Sequence, residues 1–223
     1  MEEIRIYCEN DRRYHTFPMG TDLKTISDSI YPSASLAALV NNQLKELSFK
    51  IMTTNTVRFI DYDHPDGRRT YIRSLCFVLH NVIREMYPEK VLVIDYSLPS
   101  GLYCEIREKE EMYDGRPKVY FVTDEELERI QARMKEIIDA DLPFEKTKQT
   151  LEDTVKLFEA NGQKEKVNLA RSLGRITYSV YYLDGQADTF HGITGHARRA
   201  QDVQKCVYPA GCMRNIKAAH SAL

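Results

Sequence analysis

The sequence predicts an α+β protein, in which short strands and amphipathic helices occupy separate stretches of one chain. Three observations predict this class. Apolar residues alternate in Glu3–Cys8, they recur with helical spacing from Ile72 to Met86, and an Asp184-Gly185 turn separates two further strand-like runs. With 223 residues, of which 43% are hydrophobic and 29% charged, the chain is long enough for one large or two small domains.

The first 62 residues contain the elements of a β-grasp domain. A turn at Asn10-Asp11 joins the first two strands, and Thr21 or Asp22 can cap the helix that follows. The predicted strands are short and apolar, and they cover residues 3–8, 14–17, 38–40 and 56–60. Two strands, a helix and two more strands in this order are typical of a β-grasp domain.

The segment that follows predicts a turn and then a long helix. In His64-Pro-Asp-Gly67, Pro and Gly favour chain reversal, so residues 61–69 are expected to form a hinge between domains. Pro88 stops the helix. Its predicted buried face carries seven residues with helical spacing: Ile72, Leu75, Cys76, Leu79, Val82, Ile83 and Met86. Its opposite face carries Arg73, Phe77, His80 and Arg84.

Capping and turn residues mark the later elements. Thr123 and Glu126 have the spacing of a capping box, Thr150 can cap another helix, and Asp184-Gly185 favours a tight hairpin turn. The predicted elements are a strand over 102–106, helices over 123–139, 150–162 and 164–173, and a hairpin over 176–191.

The composition excludes several classes of function. A formal net charge of -2 argues against a chain that mainly coats nucleic acid, although it permits a local basic surface. Five scattered cysteines fit reduced thiols better than a disulfide framework. The apolar runs are far shorter than the roughly 20 residues of a membrane span, and Glu2 and Glu3 do not suit a secretion signal. A cytoplasmic location is therefore expected.

The order and spacing from Tyr71 to Ile106 resemble the start of the second additional domain (SAD) of threonyl- and alanyl-tRNA synthetases. The preceding β-grasp elements resemble the TGS domain at the front of threonyl-tRNA synthetases. The resemblance implies a TGS-like domain over residues 1–62, an α/β SAD-like domain over 69–192 and a divergent basic tail over 193–223. It also implies tRNA or a nucleotide as partner.

In editing synthetases of this family, the resemblance implies a metal site made by two His on the first helix and a Cys-x-Gly-Pro-His motif. The corresponding positions here hold Arg73, Phe77, Phe190 and Thr194, none of which is a metal ligand. The resemblance therefore implies a degenerate editing site without metal or catalytic residues. The candidate cleft would be lined by Arg73, Phe77, His80, Tyr103 and His191, and would bind a nucleotide or RNA.

Residues Asp61 to His80, and Phe190-His-Gly192, also resemble bacterial uridine kinase-like proteins, which carry TGS and synthetase-like regions ahead of a phosphate-loop kinase domain. None of the ten glycines is followed by Lys, so this chain has no such phosphate loop. The resemblance implies no cofactor for this chain, and ATP with Mg only for a kinase domain in cis.

Several alternatives remain open from the sequence. The favoured function is a noncatalytic accessory region, whereas the rival is a trans-acting deacylase of mischarged tRNA with His80 or His191 as general base. A third is a subunit that only docks a protein. Tyr178, Tyr181 and Tyr182 suit either base stacking or core packing. Residues 193–223 are either a basic tail, a stretch out of frame with the ancestral coding sequence, or an artificial end of the chain.

Overall fold

The computed structural model describes residues 2–31, 35–98, 101–113 and 116–189. It has the predicted α+β composition of helices and several sheets. The chain divides into two compact units, and of the described residues those up to Leu142 belong to the first unit and those from Pro143 onward to the second. The hinge predicted over residues 61–69 lies within the first unit.

The first unit begins with a β-grasp sheet. Its elements are β1 (Glu3–Cys8), β2 (Arg13–Pro18), α1 (Leu23–Ile30), β3 (Ala37–Val40), β4 (Gln43–Lys45) and β5 (Thr56–Ile60). The strand order is β2-β1-β5-β3-β4, with β1 parallel to β5 and the other pairs antiparallel. Ile6, Leu23 and Ile26 are fully buried between the sheet and α1, and Asp22 caps the helix as predicted. The short strand β4 follows the turn at Asn41-Asn42 and was not predicted.

The turn predicted at His64–Gly67 is wrong, because these residues begin helix α2 (Pro65–Met86). Pro65 occupies the first helical turn, where no backbone donor is needed, and the His64 ring accepts a hydrogen bond from the Asp66 amide at 3.1 Å. Gly67 lies against the Asp61 carbonyl so closely that a Cβ atom would be 1.8 Å from its oxygen. Helix entry and backbone packing therefore explain Pro65 and Gly67.

The rest of the first unit is a three-stranded antiparallel sheet and one helix. The sheet has the order β6 (Lys90–Leu98), β7 (Gly101–Tyr113) and β8 (Arg116–Tyr120), with a register shift between Ile94 and Tyr96. Helix α3 (Asp124–Asp139) opens with the predicted capping box, which is confirmed. Helices α2 and α3 pack together, and Tyr71, Leu75 and Ile138 form a small cluster with Leu36 of the β-grasp region.

The second unit is a small sheet with two helices. Its elements are β9 (Glu145–Thr150), α4 (Leu151–Ala160), α5 (Lys164–Leu173), β10 (Thr177–Leu183) and β11 (Gln186–Thr189). The sheet order is β11-β10-β9, and the core contains Phe158, Val167 and Tyr178. The predicted hairpin is confirmed, with positive φ at Asp184 and Gly185. Within the described residues, no helix has the length and apolar character needed to span a membrane.

Candidate functional site

Helix α2 carries its predicted site residues on one side but buries them to different extents. Arg73 and His80 are half-buried and lie on one side of the helix, together with Cys76, which had been predicted to lie in the buried stripe. Phe77 is 0% exposed and belongs to the protein interior. The predicted role of Phe77 in lining a cleft is not tested by this burial and stays a prediction. The helix packs against both α3 and β6, so its buried face is wider than the apolar stripe in the sequence.

Tyr103, the fourth predicted residue of the cleft, lies on β7. Its neighbours Cys104 and Ile106 are buried, whereas Tyr103 is half-buried and stacks on Tyr96 with ring centroids 4.7 Å apart. Its hydroxyl donates a 2.7 Å hydrogen bond to Glu105, which, with burial, raises the pKa of Tyr103 to about 12. Arg107 donates to the same carboxylate at 2.7 Å. This row combines an aromatic pair with a guanidinium group.

Three other residues of the predicted cleft lie on α2 and β7. Arg73 and His80 share one side of α2, and Tyr103 lies on a sheet whose strand β6 contacts that helix. Phe190, His191 and Thr194 lie outside the described residues, as does the tail over 193–223. Their contribution to a site stays a prediction. Within the described residues, no group of three or more His, Cys, Asp or Glu side chains could hold a metal ion.

A polar network in the first unit centres on Glu126. The carboxylate accepts hydrogen bonds from Tyr120 at 2.6 Å, from Tyr87 at 3.2 Å and from the Thr123 amide at 2.9 Å. Burial raises the pKa of Glu126, but the hydrogen bonds outweigh burial and bring the pKa below its usual value. The hydrogen bond to Glu126 also raises the pKa of Tyr120 to about 12. The network completes the cap of α3 and thus has a structural explanation.

An ion pair in the second unit was not predicted from the sequence. Asp188, on β11, is 1% exposed, and its carboxylate contacts the ammonium group of Lys166 on α5 and the amide of Thr189. Charged residues are rarely buried so completely unless they are paired. Asp188 comes two residues before Phe190, one of the predicted ligand positions. The only signal in the sequence was an acidic residue inside a short predicted strand.

The tyrosines of β10 belong to the second unit's packing. Tyr178 and Tyr181 are buried, and the Tyr178 hydroxyl donates to the Ala170 carbonyl at 2.6 Å. Tyr182 is half-buried and accepts a hydrogen bond from the Gln149 amide at 2.8 Å. Of the two uses that the sequence left open, core packing accounts for Tyr178 and Tyr181.

Comparison with known proteins identifies what the chain is similar to. No protein-family model matches it. It is 27% identical over 163 residues to the threonine–tRNA ligase of Carboxydothermus hydrogenoformans, and the aligned region covers 73% of this chain and 24% of the ligase. It is 27% identical over 169 residues to that of Acetivibrio thermocellus (74% and 25%), and 24% identical over 185 residues to that of Francisella tularensis (82% and 28%).

These matches support the resemblance to a region of threonyl-tRNA synthetases that the sequence suggested. The chain spans about a quarter of the length of the ligases that it matches.

Proposed function

We propose that this chain is a noncatalytic, tRNA-binding region derived from the editing part of a threonyl-tRNA synthetase. The observation that carries the proposal is the similarity to threonine–tRNA ligases over 73% of the chain, with Arg73 and Phe77 at the expected ligand positions of α2. The name of these ligases supplies tRNA as the partner class. Residues 1–62 would be the TGS-like domain and residues 69–192 the SAD-like domain, with a cytoplasmic location.

The chemistry of the two helix positions favours binding over hydrolysis. A guanidinium group stays protonated in proteins and offers only donors, so Arg73 suits a phosphate and not a metal ion. Phe77 has no donor atom and is fully buried. Histidine and tyrosine are residue types that contact bases and ribose, and Arg107, which pairs with Glu105, adds a guanidinium group near Tyr103. The cleft residues would therefore recognise nucleotides without activating water through a metal.

Binding of purified tRNA tests this proposal. Arg73→Ala should weaken binding about threefold to tenfold, because one phosphate contact is lost. Arg69→Ala is the matched control, since Arg69 lies on the same helix but is exposed and pairs with Asp66 at 2.6 Å. Fluorescence anisotropy with labelled tRNA would measure both variants. A wild-type protein that does not bind tRNA would overturn the proposal, and equal weakening in both variants would remove Arg73 from the site.

A second candidate function is a trans-acting deacylase of mischarged tRNA. The buried Asp188 carboxylate with its Lys166 partner favours it, because buried ionised groups cluster at sites of catalysis. His80 or His191 would act as general base. Release of the amino acid from mischarged tRNA, measured on protein whose zinc content is known, separates the two functions. Hydrolysis by metal-free protein, lost in Asp188→Asn, would defeat the noncatalytic proposal.

The finer proposal is that this region belongs to a nucleoside kinase that phosphorylates uridine or a similar nucleoside. The likeness of residues 61–80 to uridine kinase-like proteins supports it. ATP and Mg would then serve the kinase domain in cis and not this region. Sequencing the gene through the codon for Leu223 and translating all three frames tests the idea. A downstream phosphate loop would support the kinase attachment, and its absence would leave a synthetase-like region alone.

A further inference from the structure

One face of the β-grasp sheet is unusually aromatic and basic for a surface without an assigned role. Side chains of β1 alternate, so Ile4, Ile6 and Cys8 point into the core and Arg5 and Tyr7 point outward. Pairing of β1 with β2 places Tyr14 directly opposite Tyr7. Arg58, on β5, is exposed on the same side of the sheet. These four outward residues, Arg5, Tyr7, Tyr14 and Arg58, are called the hairpin face below.

The two aromatic rings of the hairpin face are close together and inclined to each other by 54°. The Arg5 guanidinium carbon lies 4.0 Å from the centroid of the Tyr14 ring, and the Tyr7 and Tyr14 centroids are 5.1 Å apart. Tyr14 is nevertheless 58% exposed. Large aromatic side chains are normally buried for their apolar area, so an exposed tyrosine ring held beside a guanidinium group favours a planar ligand. Nucleotide bases are such ligands, and stacking on tyrosine tolerates any base.

The charges near the hairpin face complement a phosphate backbone. Among the described residues, no ion pair engages Arg5 or Arg58, nor Arg12 or Arg13 at the adjoining turn. Asp11, in the same turn, is already bound to His15 at 2.7 Å. Glu3 and Glu9 are exposed nearby, so the net local charge is small. Stacking should therefore supply most of the affinity, and binding should depend only weakly on salt.

We infer that the hairpin face binds single-stranded RNA, with an unpaired base stacked on Tyr14 and its phosphates contacted by Arg5 and Arg58. A duplex fits this face less well, because its bases are already stacked on one another. The inference rests on the proposed function in one respect, that RNA is the ligand class. It concerns a different surface, since Arg73, His80 and Tyr103 lie on α2 and β7.

The test uses the full chain, a fluorescein-labelled single-stranded RNA of mixed sequence, and a duplex of the same length. Tyr14→Ala should weaken binding of the single strand about tenfold, and Tyr14→Phe should retain it, because stacking needs the ring and not the hydroxyl. Phe49→Ala is the matched control, since Phe49 is also an exposed aromatic residue, at 40% exposure, and has the Lys45 ammonium group 5.0 Å from its ring centroid. Circular dichroism confirms that each variant is folded.

The outcomes separate this inference from the proposed function. Loss of binding in Tyr14→Ala with retention in Tyr14→Phe and Phe49→Ala supports the hairpin face. Equal affinity of Tyr14→Ala and wild type, or preference for the duplex, overturns it. Binding of tRNA without binding of the single strand also overturns it but leaves the proposed function in place. Failure of wild type to bind either RNA overturns both, and would point to a protein as the occupant of this face.

Discussion

The two compact units stabilise a partly or fully buried carboxylate in different ways. In the first unit, Glu126 is surrounded by neutral donors, the hydroxyls of Tyr87 and Tyr120 and the Thr123 amide. In the second unit, Asp188 is almost inaccessible to water, and its side-chain partner is the ammonium group of Lys166. The first arrangement completes a helix cap, whereas the second connects α5 to β11 by charge alone.

The difference indicates which carboxylate needs a functional explanation. A capping box is a local device that a helix start requires, so the contacts of Glu126 are accounted for by the fold. A buried ion pair is costly to desolvate, and an apolar pair of similar volume often stabilises a protein as well or better. Asp188 is therefore a better candidate than Glu126 for a residue kept for binding or chemistry.

The largest expected effect tests whether backbone packing, rather than polar contacts, dominates the first unit. Gly67→Ala should lower the free energy of unfolding by about 3 kcal/mol, because the new Cβ would lie 1.8 Å from the Asp61 carbonyl oxygen. Gly162→Ala in the second unit is the control, since that site has open space and only a positive φ of 67°. Gly162→Ala should lower the free energy of unfolding by about 1 kcal/mol. Urea unfolding followed by circular dichroism measures both, and equal losses would contradict the packing argument.

The second prediction tests the ion pair itself. Asp188→Asn should lower the free energy of unfolding by about 2 kcal/mol, which is less than breaking a fully buried pair costs, because Lys166 still reaches water. Lys156→Ala, which breaks the exposed pair with Glu152 in the same unit, should change it by less than about 0.5 kcal/mol. Urea midpoints of the two variants give the comparison. An unchanged urea midpoint in Asp188→Asn would mean that the Asp188 carboxylate adds nothing to the stability of its unit.

The third prediction concerns how the free energy of unfolding of the first unit decreases at acidic pH. Burial raises the pKa of Glu126 but its hydrogen bonds lower it further, so the folded-state pKa lies below the unfolded value. The resulting stability is present above the unfolded pKa and is lost as pH falls through the folded pKa. Glu126→Gln should cost about 1 kcal/mol near neutral pH and flatten the decline in acid. Urea midpoints measured between neutral and acidic pH test the prediction, and Glu152→Gln, at an exposed position, is the control. If stability falls with decreasing pH in Glu126→Gln as it does in wild type, Glu126 is not the source of the acid dependence.

The smallest expected effect is spectroscopic. The hydrogen bond to Glu126, followed by burial, raises the pKa of Tyr120 from 10.0 to about 12. Stability from this raised pKa is present below the unfolded value and is lost as pH rises through the folded one. In Glu126→Gln, Tyr120 and, to a smaller extent, Tyr87 should therefore ionise at lower pH than in wild type, because both donate to Glu126, while Tyr103, bound to Glu105, should not change. Ultraviolet difference absorbance during alkaline titration detects the ionisation, and identical titration curves would contradict the assignment.

Much of the fold could be predicted because its signals are local. The capping residues Asp22, Thr123 and Thr150 and the turn Asp184-Gly185 lie where their side chains or backbone freedom predicted them. The pattern at His64–Gly67 misled because Pro and Gly serve helix entry and close packing as well as turns. Strand β9 was missed because its residues are polar and mostly exposed, and its pairing with β10 defines it.

The sequence by itself determined the caps of three helices, the Asp184-Gly185 turn, the β-grasp order of elements and the resemblance to threonyl-tRNA synthetases, since each depends on spacing along the chain. The tertiary structure decided that Phe77 is buried, that Asp188 forms an ion pair with Lys166, and that the exposed Tyr14 ring lies beside the Arg5 guanidinium group. Such contacts join residues that are distant in the chain or depend on which face a neighbour covers. The periodicity of apolar residues indicates that one face of an element is buried, but only the packing of the folded chain decides which element covers that face.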